Sequence, residues 1–390
     1  MSKNYSPRAF PLRTLTAGIT LTQEEYERQF QKAFDFLQRG KKILEKNGFQ
    51  VQTLRVATNS YPQFTRGLSP SDSVDFLKRL AASADEKGVF LSIGCAIIAD
   101  KSDDSSLEIL CSVMSETSAF SNIVISDISK GISPQSCLAA ARIIKELSLR
   151  AMMTNFHFAA IAGQPAETPF FPAAFHARKQ DSFGIGTEAA KLVMEATRAA
   201  GVPEIESGLT EVLEAEFRAV ESAALSIEKE TGWIYEGIDT SPAPMGENSI
   251  GKAVENLTGQ AFGSSGTLHT CAYLTRFIQR IPVKRAGYCG LMLPVMEDSV
   301  LARRAAEGRF GLYDLLAYSA VCGTGLDVIP LSGDVEIEVL QRLLLDIAAL
   351  SWKLKKPLSA RLIPVPGKKA GEDVRLDSPY LVPTKIFEIP

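Results

Sequence analysis

The sequence predicts an α/β protein, specifically a ten-stranded β/α barrel over residues 1–365, followed by a Pro-rich tail, 366–390, packed on the surface or mobile. Three observations predict it. Helical and strand periodicities alternate along all 390 residues, about ten segments fit the strand pattern, and no Pro-, Gly- or Ser-rich linker or shift in composition divides the chain.

The elements follow in order. Leu12 to Thr20 is the first strand. A helix starts at Thr22, where Thr-Gln-Glu-Glu reads as a capping box and Tyr26, Phe30, Phe34 and Leu37 form one apolar stripe. Gly48 closes that unit and Gln50 to Ala57 is the second strand. Ser69 caps the next helix with Pro70 at its first position, and Val89 to Gly94 is a buried third strand. Asn122 to Ser126 is the fourth. Ser133 and Pro134 repeat the cap-then-Pro start before the helix Gln135 to Leu147. Thr154 to Ala160 and Phe175 to Ile185 are the fifth and sixth strands. Helical patterns at Thr187 to Ala200 and Thr210 to Lys229 precede the seventh strand, Trp233 to Asp239. Leu268 to Ile278 reads as a helix and Gly287 to Val295 as the eighth strand. Glu297 to Glu307 and Leu312 to Ala320 read as helices, Leu326 to Leu331 as the ninth strand, Val335 to Leu354 as a helix and Ser359 to Pro364 as the tenth strand. Gly163 to Pro172 is a Pro and aromatic loop.

Composition narrows the function classes. With 42 Lys plus Arg against 45 Asp plus Glu the net charge is -3, and no run of like charges marks a nucleic-acid footprint or a membrane-surface helix. The basic cluster Arg39, Lys41 and Lys42 reads as a solvated helix end. No stretch has the apolar length of a membrane span, and the opening Met1 to Phe10 is polar and Pro-broken rather than leader-like, so a cytoplasmic location is expected. The six cysteines, Cys95, Cys111, Cys137, Cys271, Cys289 and Cys322, lack zinc-ribbon or iron-sulfur spacing and read as buried free thiols.

In β/α folds chemistry concentrates at strand ends and the loops after them. His176, on the alternating stretch Phe175 to Asp181 with Arg178, is a candidate general acid or base; a core histidine is the structural alternative. His157 beside Asn155 is at least as well read as structural. Asp239, ahead of the rigid Ser241-Pro242-Ala243-Pro244 turn, suits proton transfer or simply caps that turn. Gly263, Ser264, Ser265, Gly266 and Thr267 precede a helix start, where bare N–H groups can hold an anion; a plain Gly-Ser helix entry is the alternative. His269, in that first turn, reads as surface or structural. Glu297 and Asp298 end a strand at a helix start, and with Asp327 they form a candidate divalent-cation or acid/base group, although helix-dipole stabilisation accounts for one of them. Cys322, on the Gly-flanked loop before the ninth strand, is a candidate nucleophile.

Several segments taken together resemble the uncharacterised family called domain of unknown function 711. They are Arg13-Thr14-Leu15-Thr16-Ala17-Gly18-Ile19, Pro169-Phe170 with Ala174-Phe175-His176, Ser241-Pro242-Ala243-Pro244, Gly263 with Gly266-Thr267, Pro294-Val295 with Glu297-Asp298, Cys322 with Gly325-Leu326-Asp327, and Arg361-Leu362-Ile363-Pro364 with Gly367. The resemblance implies kinship with the pyruvate formate-lyase-like glycyl radical enzymes, a ten-stranded β/α barrel, but brings no established reaction. Arg285-Ala286-Gly287-Tyr288 only partly echoes a glycyl radical setting, so neither a glycyl radical nor an iron-sulfur cluster is expected.

The expectation is an enzyme acting on a small anionic metabolite. His176, Asp239 and Cys322 are its catalytic candidates, Gly263 to Thr267 with Arg13 and Arg178 would bind substrate, and Glu297, Asp298 and Asp327 would hold a divalent metal ion if one is used. The alternative is a non-catalytic small-molecule-binding or scaffolding homo-oligomer. Neither nucleic acid nor membrane is expected as a partner.

Overall fold

The computed structural model describes residues 10–96, 104–163, 167–199 and 205–390. All of the opening segment except Phe10, residues 164–166 of the Pro and aromatic loop, and Ala200 at the end of a predicted helix lie outside the described residues.

The fold is α/β. The strands of its main sheet are β1 (Leu12–Ile19), β2 (Val51–Thr58), β3 (Phe90–Cys95), β4 (Phe120–Asp127), β5 (Gly131–Ile132), β6 (Phe158–Ala162), β7 (Ser182–Thr187), β8 (Ile234–Asp239), β9 (Gly325–Ser332) and β10 (Leu358–Val365). Nine of them pair in the order β8-β7-β1-β2-β3-β4-β6-β10-β9, and β5 is a short return off β4. β1, β2, β3, β4 and β6 run parallel. β7 and β8 form a second parallel set joined antiparallel to β1; β9 and β10 form a third joined antiparallel to β6.

Strand alternation explains which face each residue takes. On β1, Leu15, Ala17 and Ile19 belong to the main core, and Leu15 meets Gly40 of the helix Tyr26–Lys46. Thr16 and Gly18 take the other face. On β2, Leu54 and Val56 pack into the main core while Thr53 and Arg55 face a cavity. β4 repeats the pattern with Ile123 and Ile125 against Asn122.

The face opposite the main core is covered by the chain itself. Segment 167–176 runs across four strands and is held by their polar groups. Thr16 Oγ1 donates to the Pro169 carbonyl at 2.8 Å, Ser92 Oγ to Ala174 at 2.7 Å and Asn122 Nδ2 to Pro172 at 2.8 Å. The His176 amide donates to the Thr58 carbonyl at 2.8 Å. Buried Thr, Ser and Asn in otherwise apolar strands are thus explained: each satisfies a backbone carbonyl of the segment.

The sequence expectations differ from the structure in several places. The predicted eighth strand, Gly287 to Val295, is no regular strand. Gly287 and Cys289 sit at φ 86 and 48, and Pro294 lacks a donor, so the backbone turns out of the ladder. Segment 284–295 touches β8 through an Ile238–Arg285 bridge and β9 through a Pro294–Asp327 bridge. The ten-stranded count is therefore corrected: nine strands lie on the main path, and segment 284–295 contributes only two single bridges. Residues 152–157 form a 3-10 turn, so the fifth strand begins only at Phe158, and the sixth begins at Ser182 because residues before it belong to the segment above. Three helices, Tyr61–Phe64, Asp104–Glu116 and Ile250–Thr258, stand where the sequence pattern gives none. The capping box is not made either: the first helix starts at Tyr26, and the Thr22 amide instead meets Gln29 Oε1 at 2.9 Å. Ser69 and Ser133 do cap, accepting from the amides of Asp72 and Ser136.

Residues 366–390 pack back on the fold. The Val382 amide donates to Met296 at 2.8 Å and that of Phe387 to Pro330 at 2.9 Å, while Leu376, Leu381 and Ile386 are buried with Met296, Val328 and Ile363. No helix among the described residues is long and apolar enough to cross a membrane.

Candidate functional site

A cavity of about 490 Å³ opens where β1, β2, β3, β4 and β6 begin. Phe90, Phe120, Phe156, Phe170, Phe171 and Met292 supply apolar walls, Pro379 and Tyr380 of the tail border it, and the polar groups are concentrated in a few side chains. Three arginines reach it. Arg13 lies where the β1–β7 register shifts, an irregularity of the kind that re-aims a side chain. It pairs with Glu188 at 3.3 Å and donates to the Pro244 carbonyl at 2.8 Å. Arg361 on β10 is gripped by Asp327 at 2.6 Å and Glu297 at 3.0 Å, and lies over the Phe156 ring. Burial opposes its charge, but Asp327 and Glu297 raise its pKa above the ordinary value.

Arg55 differs from both. Its Nε donates to Thr53 Oγ1 at 3.1 Å and its guanidinium lies 5.1 Å from the Phe171 ring centroid, yet no carboxylate among the described residues pairs with it. Burial pulls its pKa down to about 9, aided by the neighbouring charges of Arg13 and Arg361 and opposed by Glu297. The group stays cationic at neutral pH. Two further polar atoms in the cavity wall, Thr324 Oγ1 and His157 Nδ1, lack partners among the described residues, and the Tyr288 hydroxyl has Ser359 as its neighbour. Burial and the charge of Arg361 lower the His157 pKa to about 4, so its imidazole is neutral, with Phe120 at 4.3 Å between ring centroids.

A second polar cluster sits across segment 167–176 from this cavity. His176 is buried there, Nδ1 4.0 Å from Glu167 Oε2, with the backbone of Arg178 and Gln180 beside its ring. Burial holds it below its ordinary pKa. Arg178 bridges Glu236 at 2.8 Å and Glu167 at 3.5 Å. Burial, with the charge of Glu236, pushes Glu167 up to about 7, against the pull of Arg178.

The sequence candidates therefore separate. Arg13, Glu297 and Asp327 come together at the large cavity; His176 and Arg178 go to the second cluster. Asp239 is fully buried and lines neither. Its carboxylate accepts from Ser241 Oγ at 2.6 Å and from the amides of Ser241, Tyr288 and Cys289, which pull down a pKa that burial pushes up. Asp298 likewise caps two helix starts at once, accepting from Ser249 Oγ and the amides of Ile250, Gly251, Val300 and Leu301. With its oxygens so engaged it stands apart from Glu297 and Asp327, and among the described residues no group of three His, Cys, Asp or Glu has metal-binding geometry. The Cys322 thiol is buried off the cavity, and burial raises its pKa against the charge of Lys356. Gly263 to Thr267 forms a turn on itself: Thr267 Oγ1 accepts from the Gly263 amide at 3.1 Å and donates to Ser264 at 2.8 Å, with Ser265 and Gly266 exposed and far from the cavity lining.

Arg55, Arg361 and His157 are the site residues that sequence reasoning passed over. Each arginine sits within an otherwise apolar strand, Thr53-Leu54-Arg55-Val56 and Ala360-Arg361-Leu362, and a charge in a buried strand is itself a signal. His157 lies in a 3-10 turn, where strand alternation does not hold, and its neighbour Asn155 donates to the Ile144 carbonyl instead of facing the cavity.

Fold and site together define an α/β protein with a mostly parallel nine-stranded sheet and an arginine-lined interior cavity. The chain belongs to the family described as Uncharacterised ACR (DUF711), whose family model matches residues 6–377. It is similar to UPF0210 proteins: 30% identical over 261 residues to that of Pyrobaculum arsenaticum, covering 64% of this chain and 58% of that protein. The UPF0210 protein of Pyrobaculum aerophilum is 29% identical over 367 residues, covering 87% and 79%, and that of Ligilactobacillus salivarius 23% over 402 residues, covering 95% and 89%.

Proposed function

We propose that this protein is an enzyme that binds a small organic acid in the 490 Å³ cavity and performs acid/base chemistry on it. The observation that carries the reading is Arg55, a cation in a largely apolar enclosure with no carboxylate partner among the described residues. An unpaired, partly desolvated charge is costly, and a ligand carboxylate offsets that cost while matching the guanidinium fork. Neutral His157 is a proton acceptor at physiological pH, and the hydroxyl of Tyr288, in the same cavity lining, is a donor. Arg13, Glu297 and Asp327 hold their places in this site; His176 and Arg178 would act, if at all, from the second cluster.

The reading extends to the fold. Two antiparallel seams join the five parallel strands to the β7–β8 and β9–β10 pairs, and segment 284–295 occupies the gap between those pairs. This supports a ten-position barrel of the pyruvate formate-lyase-like kind, with segment 167–176 threaded through it and no radical step in its chemistry.

Calorimetric titration with two ring-bearing probes, 3-phenylpropanoate and phenylalanine, tests the site. At least one should bind, and Arg55→Gln should weaken it about tenfold or more, the worth of one charge-assisted hydrogen-bonded contact, with the melting temperature little changed. Equal binding by Arg55→Gln would sink the proposal. Binding without proton exchange from the bound ligand, followed by NMR in deuterated water, would restrict it to a binding protein.

A further inference from the structure

The charges of the cavity are balanced in number and unbalanced in place. Arg13, Arg55 and Arg361 face Glu188, Glu297 and Asp327, three cations against three carboxylates. Arg13 and Glu188 form one pair. Arg361 alone serves both Glu297 and Asp327, and Arg55 serves none. One surplus negative charge therefore lies at the Arg361 end and one surplus positive charge at Arg55. The two ends are close enough that Glu297 and Arg361 both act electrostatically on Arg55.

A ligand bearing only a carboxylate would neutralise Arg55 and leave the cavity with an uncompensated negative charge. In a partly desolvated site that residue of charge opposes binding. A ligand bearing both signs answers both ends and keeps the enclosure neutral. An observation independent of the charges also points to a polar occupant: the hydroxyl of Thr324, more than nine-tenths buried, lines the cavity without a hydrogen-bond partner among the described residues. Polar atoms so buried are ordinarily satisfied. The phenylalanine-lined walls fit an apolar, ring-bearing body.

We infer that the ligand of this cavity is a zwitterion of the amino-acid type with an apolar or ring-bearing body, its carboxylate on Arg55 and its ammonium on the Glu297 and Asp327 carboxylates. This rests on the reading that Arg55 binds an organic acid, and sharpens it by adding a required positive group.

Three probes separate the two ideas at pH 7.5: phenylalanine, 3-phenylpropanoate, which lacks the ammonium, and phenethylamine, which lacks the carboxylate. Titration calorimetry on the full chain should show phenylalanine binding at least about tenfold more tightly than either, the loss expected when a buried charged partner is left unanswered. In Asp327→Asn the surplus negative charge is gone, so the order should invert, with 3-phenylpropanoate gaining and phenylalanine losing affinity. Glu297→Gln serves the same purpose should Asp327→Asn prove unfolded by its thermal melt. If 3-phenylpropanoate binds the parent as tightly as phenylalanine, or the order survives the substitutions, the zwitterion inference is overturned and the organic-acid reading stands. If none of the three binds, both fall.

Discussion

Glu167 places a carboxyl group at φ 50, at the start of the segment that crosses the sheet, in contact range of His176, Glu236 and Arg178. Burial pushes its pKa from 4.5 up to about 7. Between those values the folded state holds a proton that the unfolded chain has released, so stability falls as pH rises from about 4.5 to about 7, by at most about 3 kcal/mol. His176 acts with the opposite sign. Its folded pKa is lowered by burial, so the unfolded chain binds the extra proton and stability rises with pH up to the ordinary 6.5. The two effects partly cancel in the parent and must be separated by substitution. Glu167→Gln mimics the protonated side chain at every pH. Its stability relative to the parent should therefore grow by about 2 kcal/mol between pH 5 and pH 8, read from urea melts at each pH. A pH-independent difference would mean that the Glu167 carboxyl titrates like a solvated one.

At the scale of elements, legibility tracked how far a local rule governs the backbone. β1, β2, β9 and β10 were readable because their apolar residues alternate against a helix-covered core, as Leu54 and Val56 do on β2. Arg13 and Asp327 reach the cavity from the starts of β1 and β9 and Glu297 from the turn after segment 284–295, so their place in the site does not follow from a rule about strand carboxyl ends. The local donors, the amide of Ser241 to Asp239 and those of Val300 and Leu301 to Asp298, fit the capping alternatives read from the sequence, whereas the amides of Tyr288, Cys289 and Ile250 come from segments about fifty residues away and no local pattern shows them. Nor could alternation find segment 284–295, whose path depends on tertiary anchors rather than on a period. Asp239 is the principal anchor: its two oxygens accept from the amides of Tyr288 at 2.8 Å and Cys289 at 3.0 Å. Asp239→Asn keeps the shape but exchanges an acceptor oxygen for an amide donor that meets these N–H groups. Hydrogen exchange at Tyr288 and Cys289 should then accelerate by about tenfold or more while β2 and β3 amides keep their protection, because a lost buried acceptor costs at least about 1 kcal/mol locally. Equal acceleration throughout the sheet would make Asp239 a support of global stability instead of an anchor for this one segment.

For the whole molecule, net charge and cavity charge tell different stories. The chain carries -3 overall, whereas the six charged groups of the cavity sum to zero. Long-range attraction therefore contributes nothing toward drawing in an anion, and ligand retention falls to local contacts and to whatever covers the opening. The cover comes from the far end of the sequence. Tyr380 borders the cavity while remaining half-exposed, and residues on both sides of it are fixed, Leu376 and Leu381 being buried and the Val382 amide bound to Met296. Removing residues 376–390 would uncover Met296, Val328 and Ile363, so a truncation confounds stability with closure. Tyr380→Ala avoids this. It should leave the thermal midpoint nearly unchanged, since an exposed side chain away from the core is worth only about 0.5 kcal/mol. Dissociation of bound phenylalanine, followed by stopped flow, should quicken about threefold to tenfold while association changes little, as expected of a wall that retains a ligand without steering it. An unchanged dissociation rate would assign Tyr380 to the rim of the protein surface and leave closure to the Phe90 and Phe171 walls.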